Sequence, residues 1–344
     1  MELRRPRIKV IGLGGAGSNA VDRMIQVGVS GVEFLAVNSD MQALVRSEAP
    51  HKIQLGPDLT RCMGTGGDPA LGAEAAYRSR KQIAAALEGV DIVFIAAGMG
   101  GGTGTGAAPI VAQLARRKGA LTIAVVSEPF LFEGRKRLAV AEEGIEYLRH
   151  EVDALIIISN NQLLETVTRQ ISLDIAFRIA DEMLRQAVQG ISDLVTRPGL
   201  INLDFADIRS LMHQAGQVLI SVGYGDGESK AVVAAKSALE SPLFAVHLHQ
   251  TERILVNITC GEDITFSEVV QAVDLISETA MPENEVLFGV VVDDRMEGRA
   301  EITLIATGVE SRSLPLVPMQ DRKGTSGSLS LGDLAVSTVA QWQR

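Results

Sequence analysis

The amino-acid sequence predicts an α/β protein. It should have a parallel sheet covered on both faces by helices, one long central helix, and then a smaller α+β unit with a mixed sheet. Three observations predict this. Apolar runs of strand length alternate with helical patterns through the first part of the chain. A single amphipathic stretch, 172–196, follows and stops at Pro198-Gly199. Beyond it, strands and helices come in mixed order. Near-continuous apolar strands separated by helices belong to sheets buried on both faces, which are parallel.

Taken in order, strand-like runs lie at 8–11, 33–37, 52–55, 92–97, 121–126 and 154–158, with helical patterns at 19–26, 69–87, 107–118 and 136–150. In the long stretch, Ile175, Ile179, Met183, Ala187, Val188, Ile191 and Val195 recur every three or four residues, which predicts a buried spine. The last block reads as a short helix at 207–214, a strand at 217–222, a helix at 230–240, a strand at 253–259, a helix at 266–279, and strands at 285–292 and 301–307. The expected division is 1–172, 173–198, 199–308 and a flexible tail, 309–344, marked by Pro315, Pro318 and the run GTSGSLSLGD. The tail carries the single tryptophan, Trp342, either in a short docking element or in a plain chain end.

Composition narrows the function. A net charge of −10 over 344 residues argues against a nucleic-acid backbone or an anionic membrane surface as the main partner. Cys62 and Cys260 have neither metal-ligand spacing nor a disulfide framework, which fits a reducing cytosol. No apolar run approaches the ~20 residues of a membrane span, and the basic N-terminus reads as a first strand rather than a secretory leader. The five histidines form no metal set, His247 and His249 included.

The chemistry sits in glycine-rich turns. Residues 98–106, GMGGGTGTG, hold six glycines in nine positions between a strand and a helix. Gly98, Gly100, Gly101, Gly102, Gly104 and Gly106 let the backbone turn tightly and approach an anion. The N–H groups of the loop and the helix N-terminus then face phosphate, and Thr103 and Thr105 add hydroxyls. A second cluster, Gly12 to Gly17, satisfies GxGxxG with Asp40 beyond the next strand, as a dinucleotide fold would have it. The trio Asn38-Ser39-Asp40 can equally serve phosphate or metal-bound water. A third turn, GTGGDP at 64–69, includes Gly66 and Gly67 and leads into a helix that Asp68 caps. The lysine-bearing GxxxxGK[ST] pattern is absent. Three such turns suit a triphosphate better than one pyrophosphate. A nicotinamide-dependent oxidoreductase using 12–17 is the alternative.

GGGTGTG at 100–106 looks like the tubulin signature. With GLGGAGSNAV at 12–21 and GLINLDFADIR at 199–209, the chain resembles FtsZ, the family of bacterial tubulin-like division GTPases, from about residue 8 to 308. The resemblance implies a Rossmann-like GTP-binding domain. Its phosphate contacts would come from Gly14, Gly15, Ala16 and Gly17, from Asn19 opening the helix, and from 98–106. Pro129, Glu133 and Arg137 would form a ribose loop, although as bare residues Glu133 and Arg137 read as solvated surface charges. Asn160 would touch guanine, Phe177 would stack on the base, and Asp181 would accept from the guanine N1 and N2 donors; without the resemblance, Phe177 reads as core. Asn202, Asp204 and Asp207 would form the loop that activates hydrolysis, orienting water or helping to hold a cation. On spacing alone, Asp207 reads equally well as a helix N-cap.

The implied assignments have a geometric consequence. From Asp181 to Pro198 a helix runs about 25 Å, so the carboxylates would act on the nucleotide of a neighbouring subunit, and head-to-tail contact would build filaments. The implied cofactors are GTP/GDP and Mg²⁺ held mainly by the phosphates, with a monovalent cation as a further candidate. The implied partners are further copies of the chain and division-site adaptor proteins, with no nucleic acid and no membrane insertion. The implied location is the cytoplasm at mid-cell. A polymer that binds nucleotide without hydrolysing it is a third reading, against which Asp204 and Asp207 speak. Many family members carry Thr and Asn where Ser39 and Asp181 stand here, and the usual terminal adaptor peptide has no clear copy.

Overall fold

The computed structural model describes residues 6–166, 171–197, 199–201, 204–241, 251–279 and 285–308. Pro198, Asn202, His247, His249 and the 309–344 tail with Trp342, all singled out above, lie outside the described residues.

The chain begins with β1 (Ile8–Leu13), α1 (Gly14–Val27), β2 (Glu33–Asn38), α2 (Met41–Arg46), β3 (His51–Gln54), α3 (Pro57–Thr60), α4 (Pro69–Arg78) and α5 (Arg80–Ala86). Next come β4 (Ile92–Gly98), α6 (Thr103–Arg117), β5 (Leu121–Glu128), a 3-10 turn (Leu131–Glu133), α7 (Arg135–Glu151), β6 (Ala154–Ser159) and α8 (Asn160–Thr166). The long α9 (Leu173–Thr196) leads to β7 (Gly199–Ile201), α10 (Phe205–Met212), β8 (Gly216–Asp226) and α11 (Lys230–Leu239). The described chain closes with β9 (Arg253–Cys260), α12 (Phe266–Thr279), β10 (Glu285–Val292) and β11 (Arg299–Thr307).

All the described strands join one 11-stranded sheet in the order β3-β2-β1-β4-β5-β6-β8-β11-β9-β10-β7. The first six are parallel in doubly wound order, as their apolar runs predict. Only Ala154, Leu155 and Ile156 of β6 pair with β8, at Gly216, Gln217 and Val218. Beyond that seam the sheet is mixed: β11 is antiparallel to β8 and β9, while β9 and β10 are parallel. Alternate strand residues feed two cores. Val10, Phe94, Ile123 and Ile156 face α1, α9 and α10; Ile11, Ile95, Ala124 and Leu155 face α4, α6 and α7. A third core lies between the mixed sheet, α11 and α12.

Several expected boundaries move, each for a physical reason. The helices expected from 19 and 107 begin at Gly14 and Thr103, because the glycine clusters are themselves first helical turns. Asn19, expected to open its helix, therefore sits in the second turn of α1. The helix expected at 69–87 breaks at Ser79, whose hydroxyl turns to the Gly56 N–H and the Gln54 carbonyl. The expected spine of α9 holds at Ala187, Val188 and Ile191, which are buried. In the first half it shifts by one residue: Ala176, Ala180 and Leu184 are buried while Ile179 and Met183 pack at the margin, where α1 lies against the helix and Arg23 meets Glu182. Helix α10 starts at Phe205 with Asp204, not Asp207, at the cap position.

Candidate functional site

The parallel strand order reverses between β1 and β4, and ligands of such sheets bind beyond the strand carboxyl ends at that reversal. Both main glycine clusters lie there. They interlock: a Cβ on Gly14 would stand 3.0 Å from the Gly104 N, and one on Gly98 would meet the Ala16 Cβ at 2.6 Å. A Cβ on Gly17 would collide with the Ala96 carbonyl oxygen, and one on Gly106 with that of Pro69, so these glycines serve packing. Gly15 and Gly101 are different. Their φ is in the ordinary range and an added Cβ would meet nothing within 4 Å. Neither the backbone nor the packing asks for glycine at these two places, one in each cluster; a ligand lying against the main chain would.

Hydroxyls tie the surrounding loops together. Thr103 Oγ1 lies 2.6 Å from Ser39 Oγ and 3.3 Å from Thr65 Oγ1, all buried. Thr105 Oγ1 accepts from the Gly100 N–H at 2.9 Å, while Gly100 itself is held at φ +87°. These threonines, expected as phosphate donors, are thus engaged in fixing the cradle. Gly66 and Gly67 both need left-handed backbone, φ +59° and +83°. Asn38 is buried, and its side-chain oxygen accepts from the Asp40 N–H. Asp40 accepts from the Gln42 N–H at 2.8 Å and so caps α2, which leaves little support for a ribose role.

Past β5, Pro129 leads into the turn that carries Glu133. One Glu133 oxygen accepts from the Phe130 N–H at 2.8 Å and the other meets Arg137 at 2.9 Å. Glu133 is thus not a solvated charge, while Arg137 is half exposed and its backbone borders Gly100. The turn is pinned to α8, whose Asn161 accepts from the Leu131 N–H at 2.9 Å. Asn160 is 4% exposed, and among the described residues its Oδ1 has no hydrogen-bond partner; the Ser18 hydroxyl in α1, 2% exposed, likewise has none among them. Buried polar atoms are rarely left so, and here both lie on elements that bound the cradle.

Phe177, read as core from its residue type alone, is 44% exposed. It stands edge-on to Phe130 at 5.3 Å and to Phe132 at 6.5 Å, in an aromatic group open on one side. One turn on, burial raises the Asp181 carboxyl to about 7, against the pull of Arg23 on α1. Burial likewise raises Glu128 at the end of β5, partly offset by a hydrogen bond from Ser159. Sequence reasoning missed Thr65, Asn161 and Arg23. Asn161 stands beside a residue already singled out, but nothing local marks Arg23, which reaches the site only through packing of α1 on α9.

Asp204 and Asp207 are not brought to this cradle. Both are exposed at the start of α10, where Asp207 accepts from the Asp204 N–H at 3.2 Å. Arg209 donates to the Gly119 carbonyl, and His213 lies 2.9 Å from Asp153. Gly119 and Asp153 precede β5 and β6, so α10 sits at the amino ends of strands whose carboxyl ends face the cradle. Eight residues of β5 at ~3.3 Å each separate the two ends by roughly 25 Å.

Residues 7–168 match the Tubulin/FtsZ family GTPase domain, and 216–310 match the FtsZ family C-terminal domain. The chain is similar to an empty FtsZ dimer from M. jannaschii, with 39% identity and a TM-score of 0.86 over 93% of this chain and 96% of that one. It is similar also to a mutant FtsZ from the same organism, with 41% identity and a TM-score of 0.85 over 90% and 92%. A GTPγS-bound CetZ2 protofilament from Haloferax volcanii shares the fold alone, with 20% identity and a TM-score of 0.75 over 98% and 100%. A doubly wound sheet with interlocked glycine cradles, joined through a long helix to a mixed sheet, defines a tubulin-like GTPase fold. With 39% identity over 93% of its length, the chain belongs to the tubulin/FtsZ family, on its FtsZ side.

Proposed function

We propose that this protein binds GTP at the β1/β4 cradle and hydrolyses it only when a second subunit docks head to tail, so that assembly and turnover are one process. The observation that carries this reading is the placement of α10. Its acidic residues project from the amino ends of the sheet, roughly 25 Å from the cradle at the carboxyl ends. A carboxylate acts on a water only within about 3 Å, so Asp204 and Asp207 serve the cradle of the next copy. Such contact does not close on itself and gives a filament. The solved FtsZ dimer supports the association.

In this reading, backbone N–H groups of 14–17 and 98–106 cradle the phosphates. Glu133 and Arg137 hold the sugar end, Phe177 covers the base, and Asn160 and Asp181 read its edge. Asn202, Asp204 and Asp207 orient the attacking water, with a monovalent cation as a further occupant of that loop. Near the cradle Asp40 is engaged as a cap and Glu133 in an ion pair with Arg137. Mg²⁺ would be held mainly by the phosphates, whose charge it neutralises. The labour divides along the chain: nucleotide binding in 1–172, connection in 173–198, activation in 199–308, and adaptor docking in the tail. The filament would gather at the mid-cell division site through adaptors; no described helix is long and apolar enough to cross a membrane. The oxidoreductase alternative finds no counterpart among the family matches.

The deciding measurement is GTPase rate per subunit against protein concentration, with light scattering alongside. Turnover is expected to appear at the concentration where scattering appears. A constant rate per subunit well below that point would sink the proposal.

A further inference from the structure

We propose that His213 is a positioning residue for hydrolysis: its bond to Asp153 sets where α10 presents the acidic pair. This rests on the assembly-linked reading above.

Asp153 is a node of the fold. It is 3% exposed. One carboxylate oxygen accepts from the Thr122 N–H of β5 at 2.9 Å, and the other lies 2.9 Å from His213 Nδ1. Its backbone N–H donates to the Thr122 carbonyl, and its carbonyl accepts from Gly216, the first residue of β8. β5, β8 and the end of α10 thus meet at one residue, and its buried carboxylate, bonded by Thr122 and His213, is costly to leave short of donors. His213 is the residue that ends α10, and its N–H still bonds back to the Arg209 carbonyl at 2.8 Å.

Helix α10 is short, and its apolar residues Ile208, Leu211 and Met212 face the core it shares with α9. Apolar packing resists lifting but only weakly resists tilting. Arg209 and His213, one turn apart, supply two directional anchors, on Gly119 and Asp153. Of these, only His213 reaches a buried carboxylate. The acids sit towards the other end of the helix, about 9 Å (Asp207) and about 13 Å (Asp204) from His213 at 1.5 Å per residue. A tilt of about 5° at the anchor then moves them about 1 Å, and misplacement of that order can cost up to a hundredfold in turnover. The anchor is fixed to the strands that carry the cradle at their far ends. The pair at one end of a subunit is therefore held in register with the nucleotide at its other end.

The test compares His213→Ala, His213→Asn and Asp207→Ala with the unmodified protein. GTP affinity, sedimented polymer, and turnover per polymerised subunit at saturating GTP are measured for each. His213→Ala is expected to keep affinity and polymer within about twofold while turnover falls about tenfold. The amide nitrogen of Asn stands where the imidazole Nδ1 stood, so His213→Asn should recover most of the loss. Should His213→Ala fail to fold, His213→Gln, whose amide lies one methylene further out, replaces it with the same expected loss. Turnover that survives in His213→Ala, falls only in step with polymer, or is not recovered by a folded His213→Asn overturns the assignment. If Asp207→Ala itself turns over normally in polymer, the assembly-linked reading has failed and takes this one with it. If Asp207→Ala is inactive while His213→Ala is active, only the role of His213 falls.

Discussion

Gly15 and Gly101 face open space at ordinary φ, so alanine fits either position in the nucleotide-free protein. Gly15→Ala and Gly101→Ala are expected to leave stability within about 1 kcal/mol while weakening GTP binding at least tenfold. Gly17→Ala, whose Cβ would strike the Ala96 carbonyl, should instead cost about 1–3 kcal/mol or more. Denaturant unfolding without nucleotide, followed by GTP titration, separates the two classes. Asp181 carries a different prediction. The folded protein favours its proton, so this group lowers stability progressively as pH climbs from about 4 towards about 7 in the nucleotide-free state. Only the ionised carboxylate can accept both guanine donors. GTP affinity should therefore rise about tenfold between pH 6 and 8, with proton release below pH 7. Calorimetry in buffers of different ionisation heat reads that proton. An Asp181→Asn variant should show no such slope, and a slope that survives in it would exclude the carboxylate as its source.

Helix α9 joins the two halves through a polar seam. Gln186 donates to the Tyr224 hydroxyl at 2.9 Å, and Arg185 is held by Glu182 near a half-buried Glu301, whose carboxyl burial raises. At its end, Arg197 bridges Asp193 and Asp293. Gly190 lets the helix approach the sheet, since a Cβ there would meet Thr303 Cγ2 at 2.7 Å. Gly190→Ala should cost about 1–3 kcal/mol, and adding Thr303→Ser, which removes that methyl group, should restore most of it in denaturant unfolding. A pair whose effects simply add would show that the contact is not the cause. This seam marks where reading the sequence stops. The parallel strands, α9 and the glycine cradles were legible because apolar runs, period and glycine content are local. The one-residue shift in the first half of α9, the break at Ser79 and the strand β7 were not, because each is decided by a partner distant in the chain. The same holds within the site: the glycines announce themselves, whereas the Arg23–Asp181 and His213–Asp153 pairs exist only once α1 meets α9 and α10 meets β6.

At the scale of the molecule, cradle and acids occupy opposite ends of one sheet, which makes complementation the sharpest prediction. Asp207→Ala retains an intact cradle, and a variant with a disabled glycine loop retains intact acids. In a random equimolar copolymer about a quarter of the head-to-tail junctions would pair a good cradle with good acids. Each variant should be inactive alone, and the mixture should regain about that share of the unmodified rate. No recovery in a mixture that co-sediments would exclude catalysis across the junction. The uninterrupted sheet has a mechanical corollary. A subunit gripped at its two ends is pulled along its strands, and from β3 to β7 every strand is hydrogen-bonded to a neighbour. Tension in a filament would load those ladders in shear, all rungs together, rather than peel them apart one at a time. Where the parallel half meets the mixed half, only the three residue pairs of the β6–β8 seam carry the sheet across, and there a strained filament would part into its two halves.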